Sequence, residues 1–293
     1  MKQRLARIVC MATATLLLVL LVQPKGANAL ELAWEAEGFD GPESVVRNDE
    51  SGALYLSNVN GKPTDADGNG YISKVSPEGE ILEKEWVSGL NAPKGLAFRD
   101  SKLYVADIDE VVVVDTKTGK VLQTYKAPGA TFLNGVSIHR DGRVFVSDML
   151  KNQIWLLNDG ELSLWLETAD LDHPNGVLAE DDRLLIATWG VPKDDFSTDV
   201  PGSLRAIDYG SKEVTQLGDK PVGNLDGLQP DGKGGFLSTD WFNGALFRIS
   251  ESGEAEQLMD LNKGSADHLV TDDGNLVIIP MMLDGKLSAY KMQ

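Results

Sequence analysis

The chain of 293 residues contains one cysteine, Cys10, and aromatic residues make up only 7% of it. A lone thiol near the N-terminus excludes an intramolecular disulfide framework; beyond residue 29 it also excludes a cysteine nucleophile and a thiolate metal site. Basic residues are scarce as well. Against 45 Asp and Glu stand 27 Lys and Arg, a formal charge of -18, with no basic stripe or Arg-rich arm. Nucleic acid is a poor partner for such a surface. The signatures G-x-S-x-G, H-E-x-x-H, G-x-x-x-x-G-K-S/T and G-x-G-x-x-G are all missing, which removes the usual support for serine-hydrolase elbows, zincin chemistry and nucleotide-binding loops. What remains is ordinary globular composition, 42% hydrophobic and 25% charged, from which a packed core is expected.

One long apolar run exists, over residues 8–22, preceded by Lys2, Arg4 and Arg7 and followed by the small-x-small triplet Ala27-Asn28-Ala29. This is the pattern of a cleavable export signal, predicted over residues 1–29. An uncleaved anchor is the alternative, against which the run is short of the about 20 apolar residues a span needs. Cleavage would remove four basic residues and no acid, moving the formal charge to -22, and would take Cys10 with it. The expected product is exported, to a periplasm or outside the cell, with no stable membrane span.

Six segments of the remaining chain share one pattern: Pro42-Glu43-Ser44-Val45, Pro93-Lys94-Gly95-Leu96, Leu133-Asn134-Gly135-Val136, Pro174-Asn175-Gly176-Val177, Leu225-Asp226-Gly227-Leu228 and Ala266-Asp267-His268-Leu269. Each leads through a tight turn to a second β-rich run, at residues 54–59, 103–108, 144–149, 184–189, 236–241 and 276–281. The second motif positions lie 51, 40, 41, 51 and 41 residues apart, and both long intervals hold a loop insertion, at 60–70 and 191–202. The underlying period of about 40 is that of a four-stranded propeller blade. Only 26 residues follow Asp267, enough for three strands, whereas residues 32–36 read as a strand with no unit of its own. An all-β, six-bladed β-propeller over residues 30–293 is therefore predicted, its last blade completed by the N-terminal strand so that no sheet end is left exposed.

In such a ring the second motif positions, Glu43, Lys94, Asn134, Asn175, Asp226 and Asp267, gather around one mouth of the central channel, with His268 next to the last. Carboxylate and amide oxygens converging on one point are what Ca2+ takes. Repeated turn dipeptides such as Asn-Gly and Asp-Gly are the competing explanation of the same residues.

These residues carry a resemblance. With Glu43, Asn134, Asn175 and Asp226 in order at corresponding blade starts, residues 30–293 resemble the regucalcin/gluconolactonase family of six-bladed propellers, whose relatives include diisopropylfluorophosphatase and the paraoxonases. The resemblance implies a divalent metal, usually Ca2+ and sometimes Zn2+ or Mn2+, held by Glu43, Asn175 and Asp226, with Asn134 contributing to the metal or substrate site. It implies hydrolysis of a lactone or related ester, with Asp226 as ligand or general base, no cofactor beyond the ion, and His268 at the place of a channel histidine of the phosphotriesterase-like relatives. Two residues depart from the pattern. Phe132 stands where some sugar lactonases carry an arginine, and Lys94 brings a positive charge into the ring. A non-catalytic propeller that binds a small ligand or an exported protein, using the two insertions as contact loops, is the alternative of a different class.

Other signals point less sharply. Asp65-Ala66-Asp67-Gly68-Asn69-Gly70 matches half of an EF-hand loop, but Ser76 stands where the closing Glu belongs, so an acidic hairpin is the plainer reading. His173, two residues before Asn175, could face the channel mouth or simply pack, and His139 reads as structural. The six Trp read as blade packing, with Trp189 and Trp241, which close second strands of adjacent blades, in position to frame a pocket.

Overall fold

Apolar runs rich in Val, Ile and Leu that end in Asp or Asn pair as antiparallel strands across tight turns. The computed structural model describes residues 30–292 and arranges these runs as six four-stranded antiparallel sheets, the blades of a propeller. The export signal and Cys10 lie outside the described residues. Blade one is typical, with Pro42–Arg47 innermost, then Leu54–Asn58, Gly70–Val75 and Ile81–Leu90 outermost. Blade six joins Leu269–Val270, Leu276–Met281 and Lys286–Lys291 to the N-terminal strand Glu31–Glu37. Its outer pairing sets Ala36 opposite Leu287 and Glu35 opposite Ser288, with the Lys286 ammonium donating to the Glu35 carboxylate at 2.9 Å. On the inside the ring closes where Asp267 N–H donates to Glu43 O at 2.9 Å. Among the described residues no helix is long and apolar enough to cross a membrane.

The core is distributed between blades. Tyr55 and Ile72 of blade one pack on Leu96, Leu103, Val105 and Val112 of blade two, and clusters of the same kind recur around the ring. Burial of both faces explains why the middle strands read as nearly continuous apolar runs.

In five blades the innermost strand slips register between the first and fourth motif positions, a bulge that turns the second position out of the ladder. Hydroxyls from the second strands repair the lost pairing. Ser57 accepts from Ser44 N–H at 2.9 Å, Ser147 from Gly135 N–H at 2.9 Å, and Thr239 from Gly227 N–H at 3.0 Å. Ser147 then donates to Asn175 O at 2.6 Å and Thr239 to Ala266 O at 2.9 Å, so these two hydroxyls stitch their blades to the next.

The motif glycines are not turn residues. Gly95, Gly135 and Gly176 lie in innermost strands without positive φ, and a Cβ on any of them would overlap the carbonyl oxygen of Asn134, Asn175 or Asp226 respectively. Close approach of neighbouring inner strands, rather than turn conformation, is what requires glycine there.

The carboxylates that end second strands are structural. Asp107 accepts from Asn91 N–H at 2.8 Å and Ala92 N–H at 2.7 Å, holding the connection into Lys94. Asp107→Ala strands both donors, Ala92 being fully buried. An unpaired buried group costs about 1–3 kcal/mol, so with Ala92 buried and Asn91 half-buried a loss of about 1–3 kcal/mol is expected in urea unfolding. An unchanged midpoint would refute this capping role.

Candidate functional site

Because the first strand of each blade leaves the channel mouth and the second returns to it, the ring positions and the second-to-third-strand loops share one end of the propeller. There they form a cleft of about 160 Å³. Its floor is Glu43, Lys94, Asn134, Asn175 and Asp226, the second motif positions of blades one to five, each 5% exposed or less. Its wall is built on another repeated position. Val59, Met149, Trp189, Trp241 and Met282 each follow the last residue of the second strand in their blades. Phe132, Pro63 of the first insertion and Asp195 and Phe196 of the second complete the lining, with Lys263.

The floor is chemically unsatisfied. Glu43 Oε2 and Asn175 Oδ1 are buried without a hydrogen-bond partner, while Asn175 Nδ2 is occupied by Leu225 O at 3.2 Å. Burial, then repulsion from Asp226 and Asp267, holds the Glu43 carboxyl well above its usual range. Burial and Asp267 do the same to Asp226, against a smaller opposing contribution from the Asn175 amide. Lys94 is 1% exposed, donates to Ala92 O at 2.9 Å and lies over the Phe132 ring at 4.6 Å. Burial lowers it to about 8, although Glu43, Asp107 and Asp148 pull the other way. It makes one hydrogen bond, leaving ammonium donors for a ligand on the floor.

Asp267 and His268 adjoin this floor but do not line the cleft. Asp267 accepts from the Ser44 hydroxyl at 2.7 Å and keeps some accessible surface, yet the surrounding protein desolvates it and pushes it up to about 7. His268 is fully buried, has no partner on either ring nitrogen, and is driven to about 3 by that burial, so it is neutral. It occupies the space that Gly227 leaves: a Cβ on Gly227 would lie 2.6 Å from His268 Nδ1. His173 is outside the cleft too. Its Nδ1 meets Met149 O at 3.0 Å and its N–H donates to Asn152 at 2.6 Å, tying the blade-four connection to blade three. The acidic loop at 65–70 is closed by its own amides, Asn69 Nδ2 donating to Asp67 at 2.8 Å and Asn60 Nδ2 to Asn69 O at 2.8 Å.

Among the described residues no group of three or more His, Cys, Asp or Glu is arranged for a metal. Any ion at the floor would therefore rest on two carboxylates, Glu43 and Asp226, and the amide oxygens of Asn134 and Asn175. That set fits a hard divalent cation, since all donors are oxygens and two buried acceptors lack partners, although Lys94 on the same floor supplies an opposing positive charge.

No model of a known protein family matches the chain, and no curated protein matches it. Solved structures do resemble it. A gluconolactonase from Xanthomonas campestris gives a TM-score of 0.62 at 14% identity, covering 91% of this chain and 89% of that one. A catalytically inactive virginiamycin B lyase from Staphylococcus aureus, solved with quinupristin, gives 0.57 at 15% identity over 86% and 95% of the two chains. Hydrazine synthase from Kuenenia stuttgartiensis gives 0.61 at 17% identity over 87% and 77%. Identities this low show a common fold.

Proposed function

We propose that the protein is an exported, divalent-cation-dependent hydrolase of a lactone or related ester, with Ca2+ favoured over Zn2+ or Mn2+. The observation that carries this reading is the convergence of unpartnered buried oxygens, Glu43 Oε2 and Asn175 Oδ1, beside Asp226 at the floor of a cleft with a largely apolar wall. The likeness to a gluconolactonase adds support from the fold. Oxygen-only donors favour Ca2+, since neither imidazole nor thiolate is at hand on the floor.

Bound there, the cation would polarise a carbonyl and acidify a water. The residues supply the rest. Asn134, fixed on an inner strand, orients the ester group with its amide N–H, whereas Asn175 Nδ2 is held by Leu225 O. Asp226, whose environment raises its proton affinity, takes the proton of the water that attacks the carbonyl carbon. The Lys94 ammonium has donors to offer the oxygen on which negative charge develops. Collapse breaks the ester C–O bond and the departing alkoxide takes back the proton held by Asp226, giving a hydroxy acid from a lactone or an acid and an alcohol from an open ester.

Asp226→Asn is expected to keep the fold, since the amide is isosteric, while lowering metal-dependent turnover by about 10²–10⁴-fold. Hydrolysis of a panel of lactones and aryl esters by the mature chain, with metal content measured in parallel, checks this. Turnover retained in Asp226→Asn would remove the residue from its role. Export is tested by N-terminal sequencing of the protein recovered from its native compartment, with cleavage after Ala29 expected.

A second reading is favoured by Val191 and Val200 of the second insertion, which are 67% and 65% exposed. Apolar side chains on a rim loop suit contact with an exported protein partner or ligand and need no catalysis. Absence of turnover across the panel by the Ca2+-loaded chain would favour it.

A further inference from the structure

Polar groups occupy the floor of the cleft and its exposed rim, where Asp195 and Lys263 stand; between them runs a continuous apolar belt. The belt is aromatic on the side of blades three to five. Phe132 and Phe196 have ring centroids 6.1 Å apart, Trp189 and Phe196 6.3 Å, and Trp189 and Trp241 5.9 Å. Val59, Met149 and Met282 continue it around the ring. The Trp189 indole N–H is already spent on Phe196 O at 2.9 Å, so that ring turns no donor toward a ligand.

The second insertion is built to present Phe196. Phe196 has φ of 62°, a left-handed conformation unusual for an aromatic residue, within a tight loop in which its N–H donates to Lys193 O at 2.9 Å and Lys193 N–H to Ser197 O at 2.8 Å. Asn224 Nδ2 anchors the loop by donating to Trp189 O at 2.8 Å and Thr198 Oγ1 at 2.9 Å. A loop held this way over the cleft selects what enters it.

We infer that the substrate is a lactone or ester with a bulky apolar body, its carbonyl end on the floor and its body against the aromatic belt, and not a polyhydroxylated sugar lactone; this rests on the hydrolase reading above. Hydroxyls of a sugar ring placed at belt height would lose water and find donors only at its edges, in Lys94 over Phe132 and Lys263 over Trp241, whereas an alkyl or aryl body gains by burial. Phe196 is then a specificity-determining residue.

The test uses the Ca2+-loaded mature chain and δ-lactones of one ring size: δ-valerolactone, its n-alkyl derivatives up to δ-dodecalactone, and glucono-δ-lactone. Each methylene that reaches the belt is expected to raise kcat/KM about fourfold, so the longest chains should exceed δ-valerolactone by at least about tenfold, with glucono-δ-lactone the slowest. Phe196→Ala should flatten this dependence on chain length. Binding of the matching alkyl δ-lactams, followed by tryptophan fluorescence, reads the same preference without turnover. A flat series, or glucono-δ-lactone as the best substrate, overturns the inference. If no lactone is hydrolysed but lactam affinity still climbs with chain length, the hydrolase reading fails while the apolar occupant stands; lactams that bind without regard to chain length overturn that as well.

Discussion

Adding Ca2+ at about a hundred times its dissociation constant to the chelated protein is expected to raise the free energy of unfolding by about 2.7 kcal/mol, the linkage value for one site on the folded state alone. The Glu43→Gln/Asp226→Asn double variant should show no such gain. The reason lies in the floor. Glu43 and Asp226 are buried, and burial together with repulsion between them and from Asp267 outweighs the attraction of Lys94 for Glu43. A buried carboxylate without a partner is destabilising, so in chelator the double variant should be more stable than the parent chain, because neutral amides of the same shape remove the repulsion. Urea unfolding with and without Ca2+, beside metal analysis of the purified chains, reads both halves. An equal Ca2+ gain in parent and variant would move the ion away from this floor. A gain in the parent with no turnover on any ester would instead leave the ion as a staple between blades.

The ring architecture was legible because every blade repeats the same motif. The intervals near 40 residues gave the blade count, and the unpaired strand at residues 32–36 located the closure now seen between Glu31–Glu37 and Lys286–Lys291. Five of the six ring positions form the cleft floor, since a shared register places equivalent residues at equivalent points. Asp267 and His268 show where this logic stops. They belong to the blade whose innermost strand is only Leu269–Val270, and both side chains close on Gly227, His268 Nδ1 and Asp267 Oδ1 standing 2.6 and 2.7 Å from where its Cβ would be. The motif glycines were visible but not their cause, because a sequence of Asn-Gly dipeptides does not reveal that a neighbouring strand's carbonyl fills the space of the missing Cβ. Trp189 and Trp241 were in view as pocket candidates, whereas Val59, Met149 and Met282 read as ordinary apolar residues until the ends of the second strands fixed their common register. Phe196 carried no periodic signal at all; it sits in an insertion whose path is set by its own hydrogen bonds.

Gly176→Ala is expected to be among the most damaging single methyl additions in the described chain. Gly176 is buried on the innermost strand of blade four, and an added Cβ would overlap the carbonyl oxygen of Asp226 on blade five. Its φ is not positive, so alanine suits the local backbone and the whole effect is one of packing. Nothing flexible can yield, because the obstructing atom is main chain held between two blades. Relief requires the inner strands of blades four and five to separate, and overpacking of this kind costs about 3 kcal/mol or more. Separation also draws Asn175 away from Asp226, so the Ca2+ gain should vanish along with the stability. Gly210→Ala is the matched control, since Gly210 also lacks a positive φ and its added Cβ would meet only the Asp208 side chain at 3.4 Å. That change should stay within about 0.5 kcal/mol of the parent. Urea midpoints for the two variants decide the matter: a Gly176→Ala chain as stable as Gly210→Ala would mean that the inner strands do not meet as closely as the floor requires.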